Sequence, residues 1–293
     1  MIKKIISFIK LNLELGKVKI TVSVTVTTTI GYFLYPPERI NFWLWPVLGI
    51  FLIGLSSAAL NQYQDRFLDA KMNRTKNRPL PSGRVSEKGV LIYILFYGIT
   101  GTLVLLLKTN LIATILGLSA LGWYNGIYTY LKRVSPYAVI PGSVIGGVPP
   151  AIGWVAAGGD LFDPIILSVC WFMFIWQIPH FWLLLFLYGD DYARAGLPTL
   201  IAKIKEYKLR LWTFTGIFIT VVSAYSIPFI AKLDDFLIFK ALAGISILLL
   251  LYSSRMLFKG TKVNYKLNFI LLNMYSVLVL MILFVSHVYR MEG

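Results

Sequence analysis

The sequence predicts an all-α integral membrane protein of nine transmembrane helices, with its N-terminus in the cytoplasm. Composition comes first: of 293 residues, 57% are hydrophobic and 14% charged, and the mean hydropathy is +0.73, far from an ordinary soluble domain. Second, apolar runs long enough to cross a hydrocarbon core of roughly 30 Å lie near 18–35, 42–60, 89–107, 110–131, 137–157, 163–187, 210–231, 236–254 and 267–289. Third, alternating sides from the N-terminus puts 23 of the 28 Lys and Arg on one side, the bias of cytoplasmic loops. One span too many or too few would destroy that asymmetry in half of the chain.

Residues 1–17 pair Lys with Ile, Phe and Leu at helical spacing, which predicts a helix lying on the inner membrane surface. A signal or transit peptide fits poorly, because no small-residue cleavage site follows, Arg is absent and Glu14 is present. Span one is rich in Thr and Val, span four starts directly after Asn110, and span five is interrupted by Gly and Pro, which permit close backbone approach. The outer loops, 36–41, 108–109, 158–162 and 232–235, are short. The inner loops after spans two and six are long and polar, so chemistry belongs to the inner face. The net charge of +15 follows from inner loops facing anionic lipid and requires no nucleic acid partner. Cys170 is the single cysteine and sits inside a span, so there is neither a disulfide framework nor a CxxC metal site.

Span two runs through "SSAAL" into "NQYQDRFLDAKMNRTKNRPLPSGR" with no helix breaker before Asp69. Asn61, Asp65 and Asp69 then advance about 40° and rise about 6 Å per step, and share one helix face. One reading is a solvated helix end in which Asp65 or Asp69 pairs with Arg66. The other is a metal site: carboxylates near the hydrocarbon are costly, about 2.5 to 3.5 kcal/mol at the bilayer centre, and mark function. Two carboxylates on one face suit Mg²⁺ that takes its remaining ligands from water and substrate phosphates. Lys71, Arg74, Lys76, Asn77 and Arg78 supply donors for the same anion, and Pro79, Pro81 and Gly83 turn them back over it.

The second acidic segment is "WQIPHFWLLLFLYGDDYARAGLPTL". Asp190 and Asp191 are about 100° apart on a helix, so one can face the first pair while the other reaches Arg194. Pro179 interrupts span six and leaves backbone groups to be satisfied by a neighbour or a cavity. His180 is either a hydrogen-bonded core residue or a ligand contact, and Trp176, Phe181 and Trp182 either pack or form a binding wall. Between the acidic segments, Tyr124, Tyr128, Lys132 and Arg133 approach the inner surface at near-helical spacing.

These features together resemble the UbiA superfamily of intramembrane prenyltransferases, and within it the branch that farnesylates heme. The resemblance rests on "DAKMNRTKNRPLPSGR", "YTYLKRVSPYAVIPGSVIGGVPPAIGW" and "WQIPHFWLLLFLYGDDYARAGLP", and extends over the whole chain in topology. It implies one UbiA-type domain over 1–293, with the helices around a central intramembrane cavity in the cell membrane. Asn61, Asp65 and Asp69 would hold Mg²⁺ on the diphosphate of farnesyl diphosphate, joined by Asp190 or Asp191. Lys76, Arg78, Lys132 and Arg194 would neutralise the departing pyrophosphate, and Tyr128 would face the allylic carbon. A vinyl group of heme b would be the acceptor, with water completing the addition. His180 would touch the porphyrin or its iron, with Trp176 and Gln177 beside it. Heme A synthase or a terminal oxidase assembly would be the downstream partner. The second motif is DDxxR, shorter than in quinone-type relatives, and leaves the number of metal ions open; "GLPTLIA" also departs slightly from the ending expected there.

The physics suits such a site: a lid over an apolar chamber would shield the allylic cation from water. Three competing readings differ in testable ways. A quinone-pathway prenyltransferase would share the metal chemistry and change the acceptor. A CDP-alcohol phosphotransferase would need a DG and AR pattern absent around Asp65. A transporter would place its charges at the bilayer midplane beside matched broken helices.

Overall fold

Lipid tails are as apolar as leucine, so helices in a bilayer gain little by hiding apolar surface from lipid; they associate where small residues let backbones approach. The computed structural model describes residues 2–36, 42–233 and 236–292, which contain helices and turns and no strand. In chain order the helices are α1 (Ile2–Leu15), α2 (Val18–Phe33), α3 (Leu44–Asp69), α4 (Glu87–Lys108) and α5 (Leu111–Gly122). A π-helical turn (Trp123–Tyr128) leads into α6 (Thr129–Val134). There follow α7 (Val139–Ala156), α8 (Pro164–Arg194), the short α9 (Leu200–Lys203), α10 (Glu206–Ile230), α11 (Phe236–Ser253) and α12 (Tyr265–Glu292).

Among the described residues, eight helices are long and apolar enough to cross a membrane, with α5, the π turn and α6 forming one span. They match the second to ninth expected spans. The first differs: α2 has 16 residues, about 24 Å, short of the roughly 30 Å core. Its threonines are accommodated because Thr25, Thr27, Thr28 and Thr29 donate to carbonyls three or four residues back. Of the expected outer loops 36–41 and 232–235, residues 37–41 and 234–235 lie outside the described residues.

The glycine and proline of span five do what their placement suggests. A Cβ on Gly153 would stand 1.9 Å from the Thr28 carbonyl, and one on Gly31 would stand 2.0 Å from the Pro150 carbonyl, so α2 and α7 touch backbone to backbone. On its other side α7 meets α8, where a Cβ on Gly147 would come within 2.8 Å of the Cys170 carbonyl. Pro149 and Pro150 lie within α7 without ending it. Pro179 lies within α8 with its ring against Gly216 of α10.

The chain before α2 is strapped to α3 and α4. Gln62 donates to the carbonyls of Glu14 and Leu15 (2.9 and 2.8 Å), Tyr93 donates to that of Asn12 (3.1 Å), and Arg84 pairs with Glu14 (2.7 Å). Lys17 then turns the chain into α2 with a left-handed backbone, φ 45°.

Replacing Gly153 by Leu forces α2 off α7. The variant should lose about 3 kcal/mol, read as a lowered thermal midpoint in detergent, whereas Gly126→Ala, where a Cβ meets open space, should leave the midpoint nearly unchanged.

Candidate active site

The economical sequence reading, one unbroken helix through Asp69, holds. Asn61, Asp65 and Asp69 line one face at the end of α3 and are 3%, 5% and 1% exposed, so the solvated-helix-end alternative falls away. Arg66 turns elsewhere, to Glu87 (3.0 Å).

Four cations meet these three side chains. Lys132 and Arg133 (3.1 Å) pair with Asp65, Arg78 pairs with Asp69 (2.7 Å), and the Lys17 ammonium donates to Asn61 Oδ1 (2.7 Å). Asn61 Nδ2 donates to Asp65 Oδ2 (2.9 Å), so the first two members of the face are joined directly. Burial, with Arg78 and Lys132 nearby, pushes the Lys17 ammonium down to about 7, against the pull of Asp69 and Asp65. Arg133 Nε is buried without a partner among the described residues. Two carboxylates thus stand among four cations, one of which keeps an unused donor; the set is short of anionic acceptors.

Local structure explains how Lys132 and Arg133 reach α3. The π turn widens the helix at Trp123–Tyr128, a distortion common at functional sites, and buried Asn125 fixes it. The Asn125 side chain accepts from Ser57 Oγ (2.6 Å) and donates to Ser57 O and Gln64 Oε1 (3.1 and 3.2 Å). Gln64 Nε2 returns a bond to the Asn125 carbonyl (2.9 Å). Thr129 bonds both the Tyr124 carbonyl and Asn61 (2.8 and 3.2 Å), so α6 is registered against the acidic face.

The loop after α3 carries Lys76 and Arg78 and is held by the second acidic segment. Asp191, 6% exposed, accepts the backbone N–H groups of Asn73 and Arg74 (both 3.1 Å) and pairs with Arg194. The Arg74 guanidinium lies over the Tyr188 ring, 4.4 Å from its centroid, where α8 breaks with non-helical angles at Tyr188. Asp190 is exposed. Lys76 is exposed and bonds Asn73 (3.2 Å). The structure therefore gathers Asn61, Asp65, Asp69, Arg78 and Lys132, while Asp191, paired with Arg194, clasps the loop and Asp190 and Lys76 stand apart from the cluster.

From Lys132 an aromatic wall leads inward. Its ammonium is 5.9 Å from the Tyr128 ring centroid; Tyr128 stacks on Tyr124 (5.6 Å) and packs against Phe181 (6.0 Å), which meets His180 edge-on (5.7 Å). Gly142 makes room for Tyr128. His180 Nδ1 is 3.1 Å from Asn273 Oδ1, and Trp176 Nε1 donates to the Leu272 carbonyl (3.1 Å), both on α12. Gln177 turns toward Gly146 of α7, its Oε1 buried and unpartnered among the described residues.

The residues with no role assigned from sequence are Lys17, Arg133, Asn125 and Asn273. Arg133 was signalled by its position beside Lys132, and Asn125 by being polar inside a span. Lys17 and Asn273 are far in sequence from what they touch, and nothing in their local pattern marks them.

The model of the UbiA prenyltransferase family matches residues 24–286. The chain belongs to the UbiA prenyltransferase family. Among curated UbiA-type relatives, a protoheme IX farnesyltransferase from Thioalkalivibrio sulfidiphilus is 36% identical over 71% of this chain and 70% of its own length. Another, from Legionella pneumophila strain Paris, is 32% identical over 93% and 92%. In fold, the chain is similar to digeranylgeranylglyceryl phosphate synthase (TM-score 0.77, 18% identity, 96% of this chain and 99% of that one). It is also similar to a UbiA homologue from Archaeoglobus fulgidus bound to DMAPP and Mg²⁺ (TM-score 0.65, 15% identity, 94% and 98%).

The clasp predicts an effect on the loop alone. Asp191→Ala removes a charged acceptor from two backbone amides, so hydrogen exchange at Asn73 and Arg74 should quicken roughly 10- to 100-fold, while exchange within α7 stays as it was.

Proposed function

We propose that this UbiA family member transfers the farnesyl group of farnesyl diphosphate to a vinyl group of heme b, with addition of water, giving heme O and pyrophosphate. The observation that carries the reading is the buried Asn61, Asp65 and Asp69 face ringed by Lys17, Arg78, Lys132 and Arg133. Its surplus of cation suits a diphosphate, and the names of the curated relatives support heme as the acceptor.

The donor set fits Mg²⁺: two carboxylates and an amide oxygen are hard ligands, and the rest of the shell would come from water and diphosphate. Asn61, Asp65 and Asp69 would hold the ion, and when bound it supplies charge stabilisation to the leaving diphosphate. The chain's own cations share that task. Arg78, Lys132 and Arg133 would turn from the carboxylates, and Lys17 from the Asn61 amide, to the phosphoryl oxygens, where negative charge grows as the C1–O bond breaks. Tyr128, between Lys132 and Phe181, would present its ring to the allylic carbon and keep water from it. The vinyl electron pair forms the new bond to farnesyl C1, the C1–O pair leaves on pyrophosphate, and water adds to the porphyrin side chain with loss of one proton.

The same reading places the whole chain, 1–293, in one domain. It counts α2 as a ninth span beside the eight, surrounds a central cavity, and sets α1 on the cytoplasmic surface of the cell membrane. The 23 basic residues on one side support that orientation. Heme A synthase or a terminal oxidase assembly would receive the product.

Purified protein given heme b, farnesyl diphosphate and Mg²⁺ should yield a heavier, more hydrophobic heme, and chelation should abolish it. Asp65→Ala and Asp69→Ala should each lower kcat/KM by at least about 100-fold, and Lys17→Met should raise KM for farnesyl diphosphate roughly 10-fold. Prenylation of hydroxybenzoate or a naphthoate, with heme untouched, would overturn the acceptor.

A further inference from the structure

Of the four cations on the acidic face, Lys17 reaches it by the least ordinary backbone. Its φ of 45° lies in the left-handed region, where a Cβ is crowded and glycine is the usual occupant. The glycine of this turn stands one residue earlier, at Gly16, where a Cβ would run into the side chains of Leu55 and Tyr93. A side-chain-bearing residue keeps such a conformation only where its surroundings fix it, and here two adjacent amides of α3 do so. Asn61 accepts a bond from the Lys17 ammonium (2.7 Å). Gln62, the next residue, is fully buried and donates from Nε2 to the carbonyls of Glu14 and Leu15 (2.9 and 2.8 Å), the last two residues of α1. On the other side of the turn, Thr21 donates to the Gly16 carbonyl (2.7 Å). Thus α3 grips both the head of Lys17 and the chain immediately before its backbone.

The carbonyls that Gln62 takes belong to a helix end, where acceptors lack partners within the helix. Gln62 serves them at a cost to itself: its own Oε1 is buried without a partner among the described residues, a loss that a residue kept for stability alone would avoid. We propose that Gln62 is a positioning residue for the diphosphate, holding the end of α1 so that Lys17 keeps its left-handed backbone and its ammonium stays over the Asn61 face. This rests on the reading of the cation ring as a diphosphate site. Gln62 does not touch the substrate; its effect passes through Lys17, and the docking of α1 thereby sets the affinity for the prenyl donor. The same division of labour explains why a lysine stands where glycine would turn the chain more easily.

The test is binding of a non-ionisable farnesyl diphosphate analogue to the full chain with Mg²⁺ by calorimetry, which reads affinity and the number of sites separately, beside KM in the heme assay. Gln62→Met, which keeps the bulk and removes both donors, should weaken the analogue roughly 3- to 10-fold and raise KM for farnesyl diphosphate by the same factor. Added to Lys17→Met, the same change should have no further effect, whereas independent residues would multiply their losses. Tyr93→Phe, which releases α1 farther back at the Asn12 carbonyl, should bind the analogue as wild type does. Gln62→Asn, one methylene too short to reach both carbonyls, takes the place of the methionine variant if that one does not fold. Wild-type affinity in the Gln62 variants, fewer sites at unchanged affinity, or a further loss in the double variant would each overturn the positioning role and leave the diphosphate site standing. Failure of the wild type to bind the analogue would remove the diphosphate reading itself, and this inference with it.

Discussion

The rest of the structure depends on a cost: two carboxylates, Asp65 and Asp69, are withdrawn from water at the end of a membrane helix. A buried charge is tolerable only when it is paired and its lone pairs are used. Each nearby element can be understood as meeting that demand. The π turn carries Lys132 and Arg133 to Asp65, the loop after α3 carries Arg78 to Asp69, and the left-handed turn before α2 carries Lys17 to Asn61. Taking away any one leaves a buried group without its partner.

The same cost makes the cluster responsive. Ion pairs formed at the edge of the hydrocarbon gain little over what a better anion would offer the cations, because desolvation offsets most of the Coulomb attraction. A diphosphate presents more charge and more oxygens than two carboxylates, and a divalent ion presents more charge to the carboxylates than two ammonium or guanidinium groups. On the proposed function, exchange of partners would leave no charge unpaired. The loop can take part because its anchor is separate: Asp191 grips its backbone, so Arg78 can turn without releasing the segment that carries it.

Much of this was legible in the sequence where one residue's neighbours in space are also its neighbours along a helix. Asn61, Asp65 and Asp69 follow the helical repeat, and the Gly and Pro of span five announced a close approach that Gly153 and Gly31 make against α2 and α7. Legibility stopped where partners are distant in the chain. Lys17 is 44 residues from Asn61 and Asn273 is 93 from His180, and no local pattern encodes such meetings. The length of α2 was overestimated because its apolar composition continues past Phe33, where the helix ends. Asp190 and Asp191 looked alike in sequence; only folding separates the exposed one from the one turned to the loop.

The most direct test of the central claim, that carboxylates and diphosphate compete for one set of cations, is calorimetric binding of a non-ionisable farnesyl diphosphate analogue with and without Mg²⁺. Wild type should bind weakly without the ion and much more tightly with it. In the double variant Asp65→Asn, Asp69→Asn the cations are released from their partners, so the analogue should bind at least as tightly without Mg²⁺ as it does to wild type, and the ion should add nothing. An undiminished Mg²⁺ effect in that variant would contradict the account.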